Sequence, residues 1–151
     1  MLFGRIMAAV VLLMGVTFRN GGELDGFTIG HVPVGGQTSD FAYEWEDVRF
    51  VSRVWERESE GVSHVDLKIA ILRGPRLSAL PALRAFLAEY HEHDPEAWHL
   101  DEFQNGSYRG YINDSEAFWL TSAGVAVSVR IPSGTLTPDD LRTTALSIRP
   151  T

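Results

Sequence analysis

SALPALRAFLAEYHEHD, residues 78–94, is the most helix-like stretch of the chain, and strand-like segments flank it on both sides. Leu80, Leu83, Phe86, Leu87 and Tyr90 recur at helical spacing and form one apolar stripe. Ser78 is a suitable N-cap, and Pro81 is tolerated in a first turn whose N–H groups have no intrahelical partner. Asp94-Pro95 predicts the helix end, because the residue before a proline is pushed out of the α region. A helix with one apolar side needs a sheet to cover, so this stretch sets the fold class.

Before it, residues 39–74 carry the strongest β pattern. Val65, Leu67, Ile69 and Ile71 alternate with His64, Asp66, Lys68 and Ala70, while Val48, Phe50 and Val54 share a face of the preceding segment. Glu58-Ser59-Glu60-Gly61 reads as a four-residue hairpin turn. With apolar face on apolar face, Val54 sits opposite Val65, Arg53 opposite Asp66 and Trp55 opposite His64. Gly21-Gly22 reads as a flexible joint, and residues 26–34 as a short strand with Phe27 and Ile29 on one face.

After the helix, residues 96–106 read as an acidic loop with Trp98, Leu100 and Phe103 tucked against the core. Three short strands follow, near Tyr108 to Ile112, Ala117 to Thr121 and Val125 to Ile131. Thr137-Pro138-Asp139-Asp140 starts a second helix, with Leu141, Ala145 and Ile148 as its stripe. The expected fold is α+β: a mostly antiparallel sheet of about five or six strands covered by two helices, plus an N-terminal hydrophobic segment. Residues 23–150 form one domain and residues 1–19 an appendage.

Composition narrows the function classes. The net charge of -7 argues against nucleic acid, whose phosphates need a basic surface. The absence of cysteine excludes disulfides, a thiol nucleophile and zinc–thiolate sites. Ile6 to Phe18 carries no charge and lies between Arg5 and Arg19. It is shorter than the ~20 residues that usually span a bilayer, and it has no clear cleavage site. The functional reading is an uncleaved signal-anchor holding an extracytoplasmic domain at the membrane. The alternative is a core element of a cytoplasmic domain.

The best candidate for chemistry is residues 91–102, HEHDPEAWHLDE, with His91, His93, His99, Asp94, Asp101 and Glu102. These residue types suit a divalent metal. On a continuous helix, however, His91 and His93 point about 200° apart, and they could share an ion only if the helix ended between them. The row Arg49, Arg53 and Arg57 could hold an anionic ligand or lipid headgroups, or pair with Asp66 and nearby glutamates. Trp45, Trp55, Trp98, Trp119, Tyr43, Tyr108, Tyr111 and Phe118 could line a pocket or partner surface, or form core. No nucleophile elbow, Walker loop or dinucleotide fingerprint occurs. No catalytic residue, no metal ligand and no cofactor is assigned.

Gly26-Phe27, His31-Val32-Pro33, Ser39-Asp40-Phe41, Tyr43-Glu44-Trp45, residues 52–56 (SRVWE), residues 86–90 (FLAEY), residues 117–120 (AFWL) and residues 124–127 (GVAV) resemble an uncharacterised family of small actinobacterial proteins. The resemblance covers roughly residues 23–150 and implies an exported or membrane-tethered domain, with no site residue. The order of elements is also similar to PsbP-like and LolA-like layouts, which mostly bind proteins, lipids or small ligands. The expectation is therefore a non-enzymatic, membrane-tethered extracytoplasmic domain that binds a protein or an apolar ligand. A metal-dependent enzyme or metal-binding protein using His91 to Glu102, and a cytoplasmic domain of unknown role, are the alternatives.

Overall fold

The computed structural model describes residues 20–151. The hydrophobic segment 1–19, and with it the anchor reading, lies outside the described residues. Strands β1 (Gly22–Leu24), β2 (Phe27–Ile29), β3 (Gln37–Trp45), β4 (Val48–Ser59) and β5 (Val62–Arg73) precede helix α1 (Leu80–Tyr90). Strands β6 (Asp101–Asn105), β7 (Tyr108–Ile112), β8 (Glu116–Ser122) and β9 (Val125–Arg130) come next, then helix α2 (Pro138–Leu146) and strand β10 (Ile148–Pro150).

The expected α+β fold of five or six strands under two helices is corrected by this order. Half of the described residues are in strands and 15% in helix, so the fold is predominantly β. The strands make two antiparallel sheets. One has seven strands in the order β3-β4-β5-β9-β8-β7-β6, and the other has three in the order β1-β2-β10. Several strands were hidden in the sequence pattern. β3 escaped because its turn, Glu46-Asp47, lacks glycine, yet both residues take positive φ, at 50° and 64°. β6 has a single buried apolar residue, Phe103, at the sheet edge.

Three layers result. On one face of the large sheet, α1 packs Leu83, Phe86 and Leu87 on Val48, Phe50, Leu72, Phe118 and Ala126. On the other face, α2 and the small sheet pack Leu141, Ala145, Phe27 and Ile29 against Leu67, Ile69, Ile71, Trp119, Val127 and Val129. The central strands are buried on both faces, so their apolar residues are not confined to one parity.

This explains why the hairpin register differs from expectation. The β4–β5 turn has two central residues, Glu60-Gly61, with Ser59 opposite Val62. Glu56 faces Val65, but Trp55 faces Leu67, so Asp66 is the extra residue of a β-bulge. Val54 consequently faces Lys68, not Val65, and Arg53 faces Ile69. The apolar parity of β4 (Val48, Phe50) looks at α1, while that of β5 (Leu67, Ile69, Ile71) looks at the small sheet. Asp66 is 5% exposed, and Arg57 Nε (2.8 Å) and Ser133 Oγ (2.6 Å) donate to it. The bulge therefore carries its own polar lock.

Helix α1 begins at Leu80 with Ala79 at the N-cap, where no side chain caps it, and it stops at Tyr90, before Asp94-Pro95. Its end is a Schellman motif: His93 N donates to Ala88 O (2.8 Å) and Glu92 N to Glu89 O (3.1 Å), with Glu92 at φ 56°. Helix α2 starts as expected, with a capping box between Thr137 and Asp140. Ile148 belongs to β10 and not to the helix stripe. Gly21 is no joint. Its N donates to Ile29 O (2.8 Å), and a Cβ there would collide with Ile29 and Val32.

Candidate functional site

Register places a polar rung across the α1 face of the large sheet. Lys68 on β5 faces Arg130 on β9, and Arg130 faces Glu116 on β8. The neighbouring rung, Ala70–Ser128–Phe118, is mostly apolar, and the next, Leu72–Ala126–Leu120, wholly so. The face turns polar where α1 ends, since Leu87, Tyr90 and His91 line the same small cavity as Lys68, Ser128 and Arg130. Two cations thus sit below the C-terminal end of α1, where the macrodipole favours positive charge.

Glu116 ends this rung, with its side chain 5% exposed. Trp98 Nε1 donates to its Oε2 at 3.1 Å. His93 Nε2 lies 3.7 Å from Oε2 and Arg130 Nε 3.8 Å from Oε1, ion-pair distances too long for hydrogen bonds. The Asn113 amide approaches Oε2 at 3.5 Å. The His93 ring stacks on Trp98 with centroids 4.6 Å apart, and Trp98 stacks on Phe118 at 5.5 Å. Beside the rung, the Tyr43 and Tyr90 hydroxyls hydrogen-bond at 2.6 Å. Burial, reinforced by that bond, raises the Tyr43 phenol well above its ordinary value.

The residue 91–102 cluster is only partly assembled. Helix α1 does end before His91, and the His91 and His93 rings lie 5.8 Å apart. Burial, then the charges of Arg130, His93 and Lys68, lower the His91 pKa to about 3, which makes it a poor base. Asp94 is turned to the backbone N–H of Glu96 (3.0 Å), and His99, Asp101 and Glu102 are exposed. Among the described residues, no three His, Asp or Glu side chains converge as a metal requires.

The arginine row is engaged. Arg49 Nη2 donates to Asp25 (3.1 Å), Arg57 pairs with Asp66, and Arg53 grips Asp40 through Nε (2.7 Å) and Nη2 (2.9 Å). Burial pushes the Asp25 carboxyl upward, but hydrogen bonds from Arg73 and Arg49 outweigh it and hold the pKa below the usual value. The Arg53 hydrogen bond likewise lowers Asp40. A concavity of about 810 Å³ between the small sheet and β3 is walled by Gly21, Gly22, Gly35 and Gly36. Arg53, at its floor, already serves Asp40 and Gly21 O, so little remains there to grip a ligand.

A second concavity has a different character. A groove of about 500 Å³ runs beside α1 between Pro81, Arg84, Ala85 and Ala88 on the helix and Trp98 and Tyr111 opposite. Its walls are mainly apolar and its aromatic rings are pinned. Trp98 is held by Glu116, His93 and Phe118, and the Arg84 guanidinium lies 4.8 Å from the Tyr111 ring centroid. Arg84 Nη2 also donates to Trp98 O at 3.2 Å. Such preformed aromatic walls suit docking of an apolar group, and no nucleophile–base pair lines them.

Sequence reasoning missed Glu116, Arg130 and Lys68. The signal was present, since Lys68 and Arg130 occupy the polar parity of alternating strands, but alternation alone does not show that α1 covers that parity. No protein-family model matches the chain, no curated protein matches it, and no solved structure matches its fold.

Proposed function

We propose that the chain is a non-catalytic binding domain, held at a membrane by residues 1–19 with residues 23–150 on the extracytoplasmic side, and that a protein segment docks in the groove beside α1. The pinned Trp98 and Tyr111 rings carry the reading, because rigid aromatic walls lose little entropy on binding. An apolar small molecule is the weaker occupant. The closed cavity beneath α1 has about 10 Å³, the room of one water. The tether rests on the charge-free run from Ile6 to Phe18. Among the described residues, no helix is long and apolar enough to cross a membrane. A metal-dependent activity finds no matching geometry at His91 to Glu102.

Two experiments test this. Full-length protein should pellet with membranes, and protein lacking residues 1–19 should not; an unchanged pellet refutes the tether. A photo-crosslinking residue at Ala85, exposed in the groove, should capture one defined protein segment, and the same residue at exposed Thr143 on α2 should not. Replacing Tyr111 with serine should abolish the adduct. Equal labelling from both positions, or none from Ala85, refutes docking in the groove.

A further inference from the structure

We infer that β3 is a self-association edge, and that two copies of this chain pair antiparallel through it about a two-fold axis at Phe41. The two edges of the seven-stranded sheet are unlike. β6 is five residues long and begins with Asp101 and Glu102. Short, charged strands are the usual protection of an edge. β3 is nine residues long, pairs with β4 without a bulge, and contains no proline. Among the described residues, β4 is its only strand partner. It also carries Phe41, which is half exposed and lies on the α1 face by alternation with Tyr43 and Trp45.

Strand geometry restricts how β3 can pair with itself. Outward-facing N–H and C=O groups recur at every second residue, so an antiparallel pair of identical edges allows only registers that match residues of the same parity. Centring on Asp40 sets Asp40 against Asp40. Centring on Ala42 sets Asp40 against Glu44. Both place like charges directly opposite, which is unfavourable. Centring on Phe41 sets Asp40 against Ala42, Glu44 against Thr38, and Phe41 against Phe41. Each acid already has an arginine opposite it on β4, Arg53 for Asp40 and Arg49 for Glu44. The Phe41 register thus opposes no like charges, creates an aromatic cross-strand pair and uses all nine residues from Gln37 to Trp45. It forms about eight to ten intermolecular backbone hydrogen bonds and puts both α1 helices on one face of a continuous sheet.

The test is sedimentation velocity of the full-length protein in a mild detergent. The expected species is a dimer. Phe41→Asp and Phe41→Lys should each weaken association by about tenfold or more, and mixing the two in equal amounts should restore a dimer. Because the chain has no cysteine, Phe41→Cys supplies a clean second reading. It should oxidise rapidly to a disulfide-linked dimer, whereas Thr38→Cys, which faces Glu44 of the other copy, should not. A wild-type monomer throughout, no rescue on mixing, or equal crosslinking of the two cysteine variants overturns the proposal.

Discussion

Replacing Glu116 with alanine tests the polar rung beneath α1. The carboxylate is nearly inaccessible and is the acceptor for Trp98 Nε1. Its loss leaves a buried indole N–H without that partner, which costs ~1–3 kcal/mol. Arg130 also loses its counter-charge, but its side chain is 33% exposed, so water compensates in part and this adds ~1 kcal/mol at most. The sum is about 1–4 kcal/mol, a fall in Tm on the order of 10 °C for a domain of this size. Glu116→Gln keeps an oxygen for the indole and removes only the charge, so its cost should be about 1 kcal/mol. Urea unfolding followed by tryptophan fluorescence, with m-values compared, separates the two variants. A Glu116→Ala cost below about 1 kcal/mol, or a Glu116→Gln cost equal to it, refutes the reading that Glu116 organises Trp98 and hence the groove wall.

Three other perturbations follow from the same geometry. Glu92 sits at φ 56° at the end of α1, so Glu92→Gly should raise stability by about 0.5–1 kcal/mol in the same urea assay; a loss would contradict the Schellman ending. Gly110 lies on β7 where a Cβ would strike Phe118 O and Trp119, so Gly110→Ala should cost at least about 2 kcal/mol or shift β7 off β8. His91 is depressed to about 3 in the folded chain, so the unfolded state binds the extra proton. Stability is unaffected above the unfolded pKa of 6.5 and falls as pH drops from there towards 3. The slope is up to ~1.4 kcal/mol per pH unit for the one proton involved, and solvent screening of a group that is only partly buried narrows the pH window over which it acts. Unfolding measured between pH 6.5 and 4.5 should lose most of this slope in His91→Gln; an unchanged slope would assign it elsewhere.

The sequence-level reading worked where one element carried a complete local signal. Thr137-Pro138-Asp139-Asp140 marked the start of α2, and the apolar stripe of α1 put Leu83, Phe86 and Leu87 inward. The reading failed where both faces of a strand are covered. Leu67, Ile69 and Ile71 alternate cleanly, yet Ala70 and Leu72 on the opposite parity are buried too. Alternation read as inside against outside therefore aligned the wrong faces of β4 and β5. Alternation also gives no sign that α1 covers Lys68 and Arg130, and Glu116 cannot be singled out locally because its partners arrive from β9 and from residues 93 and 98. The missing strands β3 and β6 depend on a glycine-free turn and on edge pairing, and neither is visible in local hydrophobicity.

Burial of the large sheet on both faces depends on the displaced β4–β5 register that the bulge at Asp66 creates. Cross-strand nuclear Overhauser contacts between backbone protons test it most directly. Contacts from Trp55 to Leu67 and from Val54 to Lys68 are predicted. Contacts from Trp55 to Asp66 and from Val54 to Leu67, the pairs that the same turn gives without a bulge, would contradict the three-layer arrangement.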